Sequence, residues 1–160
     1  MAMANTDDGF ARVKAMLAAM HVEGEIIEHP SIDGSHSEDA ARALGVDIGS
    51  VIKCLILVSR KGEPVAAIIG GDRRLDVKQL EAASGLKKLS MASAEVIKRL
   101  TGFMAGGVPP LAVAGKMPAF VDAALLEKPV VIGSAGSPRA GLKLVPSALV
   151  TMGFVRSNLS

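Results

Sequence analysis

Two aliphatic runs, Val51–Val58 and Val65–Ile69, stand either side of Arg60-Lys61-Gly62-Glu63-Pro64, a stretch with the composition of a hairpin turn. Their β-branched content predicts two strands paired antiparallel. Side chains alternate along a strand, which puts Val51, Lys53, Leu55 and Leu57 on one face and Ile52, Cys54, Ile56 and Val58 on the other. Both faces are apolar, so the first strand is predicted to be buried on both sides. Lys53 breaks that pattern. Desolvating an unpaired ammonium costs several kcal/mol, so Lys53 either faces a cleft as a site residue or snorkels to solvent near the strand end. The pattern leaves both readings open.

The flanking sequence mixes helices with strands. Phe10, Val13, Met16, Leu17 and Met20 recur at helical spacing within 9–20, which predicts an amphipathic first helix. Glu25–Glu28 reads as a short strand ending at His29-Pro30, followed by a helix from Ser37, a plausible N-cap, to Gly45. Further helices are expected from Asp76 to near Gly85, from Ser93 to Leu100 and from Pro146 to Met152, with Pro146 in the first turn. Leu86–Met91, Val130–Ile132 and Leu142–Val145 suit strands, the last two around a turn-rich stretch from Gly133 to Gly141. Thr101–Met117 holds Gly102, Gly106, Gly107, Pro109, Pro110 and Gly115 and predicts a structured loop. Because strands and helices do not alternate strictly, the expected fold is mixed α/β of the α+β type: a largely antiparallel, mixed sheet flanked by helices. The 160 residues, 49% of them hydrophobic, suit one domain spanning 1–160 with its core at roughly 25–150.

Composition excludes several functions. No apolar run is long enough to cross a bilayer, and no basic segment precedes an apolar one near residue 1, so a cytoplasmic location is expected. One cysteine cannot form an internal disulfide or supply a cysteine-based zinc site, and His21, His29 and His36 lack metal-binding spacing. Neither a metal nor a cofactor is expected. A Walker phosphate loop, a Gly-x-Gly-x-x-Gly fingerprint and a Gly-x-Ser-x-Gly elbow are all missing, and every histidine lies in the first 36 residues, which disfavours a Ser-His-Asp triad. Residues 1–50 hold 3 Lys/Arg against 9 Asp/Glu, and residues 51–160 hold 15 against 7. The basic part suits either a solvated surface or a polyanion. With four Phe and no Trp or Tyr, an RNA partner would be held through phosphates and a terminal group and not by base stacking.

Three places could carry chemistry. Lys53 is the first. The second is Gly102–Pro110, where glycines permit close approach of backbone and fixed amides could stabilise a developing oxyanion. The third is Gly133-Ser134-Ala135-Gly136-Ser137-Pro138-Arg139, which could line the same cleft or only turn the chain. Cys54, next to Lys53 but on the other strand face, reads as a buried thiol and not as a nucleophile.

Ala40-Ala41-Arg42-Ala43-Leu44-Gly45, Val51-Ile52-Lys53-Cys54-Leu55, Gly71-Asp72-Arg73-Arg74-Leu75-Asp76, Leu100-Thr101-Gly102-Phe103, Gly106-Gly107-Val108-Pro109-Pro110 and Phe120-Val121-Asp122, in that order, resemble the YbaK/EbsC family of aminoacyl-tRNA deacylases. That family is related to the editing domain of bacterial prolyl-tRNA synthetase, and its fold is a mixed sheet surrounded by helices. The resemblance implies hydrolysis of the ester of mischarged tRNA, with cysteine or another small amino acid on tRNA-Pro as the substrate. It implies a catalytic role for Lys53, Gly106 and Gly107, and substrate binding by Val108, Pro109, Pro110, Ser134, Ala135 and Gly136. Arg73, Arg74, Lys87, Lys88, Lys98 and Arg99 are the candidate phosphate contacts. The implied partners are the acceptor end of mischarged tRNA and prolyl-tRNA synthetase, with neither DNA nor a membrane among them. The chain departs from the family in two places. Alanine-editing members carry a histidine near Gly133–Gly136 and this chain has none. Relatives also continue Ser-Pro-Phe/Ile-Gly after the paired glycines, where this chain has Val108-Pro109-Pro110-Leu111-Ala112. Two other readings stay open: a non-catalytic module that binds tRNA or a synthetase, and a hydrolase of small esters on the same scaffold.

Overall fold

In the computed structural model the two aliphatic runs form β2 (Ile52–Val58) and β3 (Pro64–Gly70), paired antiparallel with Lys53 opposite Ile69 and Leu57 opposite Val65. The structure describes residues 2–28, 37–137 and 139–160, with side chains from residue 11 onward. The readings made at His29, Pro30, His36 and Pro138, and of the Phe10 side chain, lie outside these residues.

The double burial of β2 holds. Ile52 and Ile56 enter one apolar cluster, with Cys54 and Val58 packed against it, and Leu57 enters another with Val65, Ala67 and Ile69. The first cluster is closed by Val13 of α1 (Ala2–Met20), Ile97 of α4 (Ala94–Thr101) and Leu149 of α5 (Pro146–Thr151); Met16, Leu17 and Met20 pack against it as their spacing predicts. The second is closed by Leu80 of α3 (Val77–Ser84). Burying a large aliphatic side chain contributes about 1.5–3 kcal/mol, so helices on both faces are what make this strand stable. Capping follows the sequence: the Asp76 carboxylate accepts from the Lys78 and Gln79 amides, the Ser93 hydroxyl accepts from the Val96 amide, and Pro146 opens α5. Ser37 is the first residue of α2 (Ser37–Leu44) and not the residue before it.

The strands form two sheets where one was expected. The larger has the order β4-β2-β3-β5-β8, with β4 at Ser90–Met91, β5 at Ala119–Asp122 and β8 at Val155–Ser157. The smaller has the order β1-β7-β6, with β1 at Glu25–Glu28, β6 at Val131–Ser134 and β7 at Ala140–Leu144. Pairing is antiparallel except at β3–β5 and β5–β8, so the fold is mixed α/β and largely antiparallel. A parallel bridge between Val51 and Ile132 joins the sheets.

Three expectations change. Leu86–Met91 contributes strand only at Ser90–Met91, because Lys88 is left-handed (φ 57°) and the Leu89 amide donates to the Glu81 carboxylate at 2.9 Å. β5 and β8 have no counterpart in the sequence reading. The strands around Gly133–Gly141 reach into that stretch, so Gly133, Ser134 and Gly141 are paired between β6 and β7, and Ala140 pairs with Glu28 of β1.

Candidate active site

A cavity of about 670 Å³ opens where the two sheets meet. Its lining includes six consecutive residues, Val51 to Ile56, drawn from both faces of β2. One surface can touch successive residues of a strand only by running along its edge, and the topology supplies that edge. Beyond the Val51–Ile132 bridge, β2 has no partner among the described residues on this side until its pairing with β4 at Leu57 and Val58, reinforced by the Ala92 amide donating to the Ile56 carbonyl at 3.0 Å.

Lys53 sits in this gap, half-buried, and its Nζ donates to the Arg73 carbonyl at 2.9 Å. An ammonium has three donors, and two others remain for a ligand. Cys54 also lines the cavity, and burial pushes its thiol from 9.0 up to about 12. It is a neutral thiol at physiological pH, as expected. Among the described lining residues Lys53 is the one that carries a charge, and none is a carboxylate or an imidazole.

The opposite wall is the loop after α4. Gly102 caps that helix at φ 79°, a left-handed conformation that suits glycine. The buried Thr101 hydroxyl donates to the Ile97 carbonyl at 2.8 Å and accepts from the Phe103 amide at 3.1 Å. Arg12 of α1 donates to the Gly102 carbonyl at 3.0 Å and lies 4.0 Å over the Phe103 ring. The loop then closes a turn, with the Gly107 amide donating to the Met104 carbonyl at 2.9 Å. Ser134 clamps it from β6: its hydroxyl donates to the Gly107 carbonyl at 2.8 Å and accepts from the Gly136 amide at 3.0 Å. Gly107 therefore has its amide occupied, whereas the Gly106 and Val108 amides have no acceptor among the described residues.

The sequence-predicted residues fall into three groups. Lys53, Gly106, Gly107, Val108 and Ser134 line the cavity together. Pro109, Pro110 and Ala135 are buried behind it, and Gly136 forms a turn at φ 88°. Arg73, Arg74, Lys87, Lys88, Lys98 and Arg99 are exposed and outside it; Lys98 donates to the Gly102 carbonyl at 3.3 Å. Ser37 of α2 lines the cavity as well. Ile56, Met91, Ala92, Ile97 and Gly141 also line it. No motif marks them, because they reach the site from separate elements through pairing that becomes visible only in three dimensions.

Comparisons with known proteins bear on the family and the fold. The sequence model of the aminoacyl-tRNA editing domain matches residues 29–152. The chain is 32% identical over 122 residues to the Enterococcus faecalis protein named "Putative Cys-tRNA(Pro)/Cys-tRNA(Cys) deacylase EbsC", covering 76% of this chain and 74% of that one. It is 38% identical over 106 residues to the proline–tRNA ligase of Citrifermentans bemidjiense, covering 66% of this chain but 18% of the ligase. A crystal structure described as "a putative trans-editing enzyme for prolyl tRNA synthetase" superimposes with a TM-score of 0.85 at 31% identity, covering 95% of this chain and 96% of that one. With the match spanning most of the sequence and the fold reproduced nearly end to end, the chain belongs to the aminoacyl-tRNA editing domain family.

Proposed function

We propose that residues 1–160 act as one editing domain that hydrolyses the ester of mischarged aminoacyl-tRNA in trans, releasing cysteine or another small amino acid from tRNA-Pro. The observation that carries this reading is the meeting of Lys53 with the Gly106–Val108 backbone across one apolar cavity. An apolar wall favours an uncharged side chain, since burying an unpaired charge costs several kcal/mol. Lys53 anchors the terminal phosphate or polarises the ester carbonyl. The Gly106 and Val108 amides stabilise the oxyanion of the tetrahedral intermediate. With no carboxylate or imidazole among the described lining residues, a water or a hydroxyl of the substrate itself attacks the carbonyl carbon. Exposed Arg73, Arg74, Lys87, Lys88, Lys98 and Arg99 hold the acceptor-end phosphates, which makes binding weaken with salt.

The test is single-turnover deacylation of tRNAs charged with alanine, cysteine, serine and proline. Release of one non-cognate amino acid, slowed about 10²-fold or more in Lys53→Ala at an unchanged melting temperature, is the expected result. No release from any charged tRNA, or full activity in the variant, overturns the reading.

A further inference from the structure

Backbone direction along β2 is fixed by its neighbours. The Ala66 amide donates to the Pro118 carbonyl, so Ala66 and Ile68 face β5, leaving Val65, Ala67 and Ile69 to bond β2 through Leu57, Leu55 and Lys53. Both backbone groups of a residue in an antiparallel strand point to the same side. Ile52, Cys54, Ile56 and Val58 therefore face away from β3, as the bond from Ala92 to the Ile56 carbonyl shows independently. Ile56 and Val58 meet β4 and Ala92, and Ile52 lies beside the bridge to Ile132. Cys54 lies between them. Its N–H and C=O face the cavity side, where no strand among the described residues pairs with Cys54.

A residue with both backbone groups free presents one donor and one acceptor, which an antiparallel partner satisfies with its own N–H and C=O across a single Cα. An α-aminoacyl ester carries that set: an ammonium and a carbonyl flanking one Cα. We infer that the aminoacyl group binds as a one-residue strand on the open edge of β2, its carbonyl oxygen accepting from the Cys54 N–H and its α-ammonium donating to the Cys54 C=O. Directly opposed residues in such a pair project their side chains to the same face. The substrate side chain then lies beside the neutral Cys54 thiol, on the face of Ile52 and Ile56. The Cys54 amide is thereby an oxyanion donor in addition to the Gly106–Pro110 loop. This inference rests on the proposed deacylase reading and adds to it the group that orients the ester.

The test replaces the residue 54 amide by an ester, using lactic acid incorporated at that position, with Cys54→Ala as the backbone-intact reference. The expected result is a loss of about 10²-fold in kcat/KM for deacylation relative to Cys54→Ala, at an unfolding midpoint only slightly lowered, because the ester weakens the Lys53 carbonyl as an acceptor from Ile69 but removes no donor bonded among the described residues. The same replacement at Leu55, whose amide faces β3, removes a bonded donor and lowers the midpoint further. Unchanged kcat/KM in the residue 54 ester overturns the inference and leaves the deacylase reading standing. If the native chain deacylates no charged tRNA, the deacylase reading falls, and ¹H–¹⁵N spectra with 3′-(L-alanylamino)-3′-deoxyadenosine decide the inference alone: a downfield shift of the Cys54 amide supports it, and an unmoved Cys54 amide overturns it.

Discussion

Lys53 Nζ donates to the Arg73 carbonyl oxygen at 2.9 Å, which fastens the one charged group among the described cavity residues to the loop that leaves β3. That loop is held in turn. The Arg73 guanidinium donates to the Ser160 hydroxyl at 3.2 Å, Ser160 donates to the buried Asp122 carboxylate, and the Leu159 amide donates to the same carboxylate at 3.1 Å. The Asp76 amide closes the circuit on the Leu159 carbonyl at 2.7 Å. Asp122, at the end of β5, thus steadies Lys53 without touching it.

Asp122→Ala leaves the buried Leu159 amide without its acceptor. The expected loss is about 1–3 kcal/mol of unfolding free energy, read from urea denaturation. A variant as stable as the native chain would show that this carboxylate does not hold the C-terminal strand region in place.

Gly133→Ala tests how closely β6 must approach β2. A Cβ at this position would lie 3.1 Å from two Ile52 side-chain atoms and 3.5 Å from the Pro110 ring. Displacing Ile52 deforms the cavity wall, and overpacking of this kind costs about 1–3 kcal/mol. Thermal melts should register the loss, and deacylation should slow along with it; native melting and turnover in this variant would mean that the wall yields freely.

The Cys54 thiol contributes a pH dependence with a defined sign. Burial raises its folded pKa from 9.0 to about 12, so above about pH 9 the unfolded chain releases the proton while the folded chain keeps it. The unfolded state is then favoured, and stability falls by up to about 1.4 kcal/mol per pH unit between 9 and 12. Below pH 9 the contribution is constant. Comparing urea unfolding of the native chain and Cys54→Ala at pH 8 and pH 10 isolates this slope, which should be absent from the variant. Parallel curves for the two proteins would count against a thiol shielded from water.

Arg12 joins α1 to the loop that forms one wall of the cavity, through the Gly102 carbonyl and the face of Phe103. Arg12→Ala should cost about 1–2 kcal/mol, given the usual strengths of a cation–π contact and a charged hydrogen bond. Arg12→Lys should recover only part of this, since an ammonium cannot both stack and donate as a guanidinium does. Equal stability of the Ala, Lys and native forms would argue that α1 docks by apolar contact alone.

The site was half legible in the sequence, for identifiable reasons. Lys53 stood out because an ammonium interrupts an otherwise apolar alternation, and Gly106–Pro110 because glycine and proline mark irregular backbone. The β2–β3 hairpin was readable from two apolar runs and a turn. β5 was not, since four residues buried on both faces carry no alternation to read. β8, with two exposed residues out of three, owes its pairing to β5 alone. The free edge at Cys54 was likewise invisible, because it is a property of which strands fail to meet. Leu86–Leu89 had apolar residues enough for a strand and lost the bonds of one to a glutamate side chain.

The pairing of β1 with β7 sets Glu25 against Lys143 and Glu28 against Ala140. On a ribosome, β1 has no partner until β7 has been made, and the second edge of β3 waits for β5. Contacts this distant in sequence make loop closure costly and folding slow. The β2–β3 hairpin is the large strand pairing available early, and during that interval its apolar faces and the open edge at Cys54 are exposed together. The edge proposed to receive substrate is therefore also a place where nascent chains can pair with one another, and overexpression at lowered temperature is expected to favour soluble product.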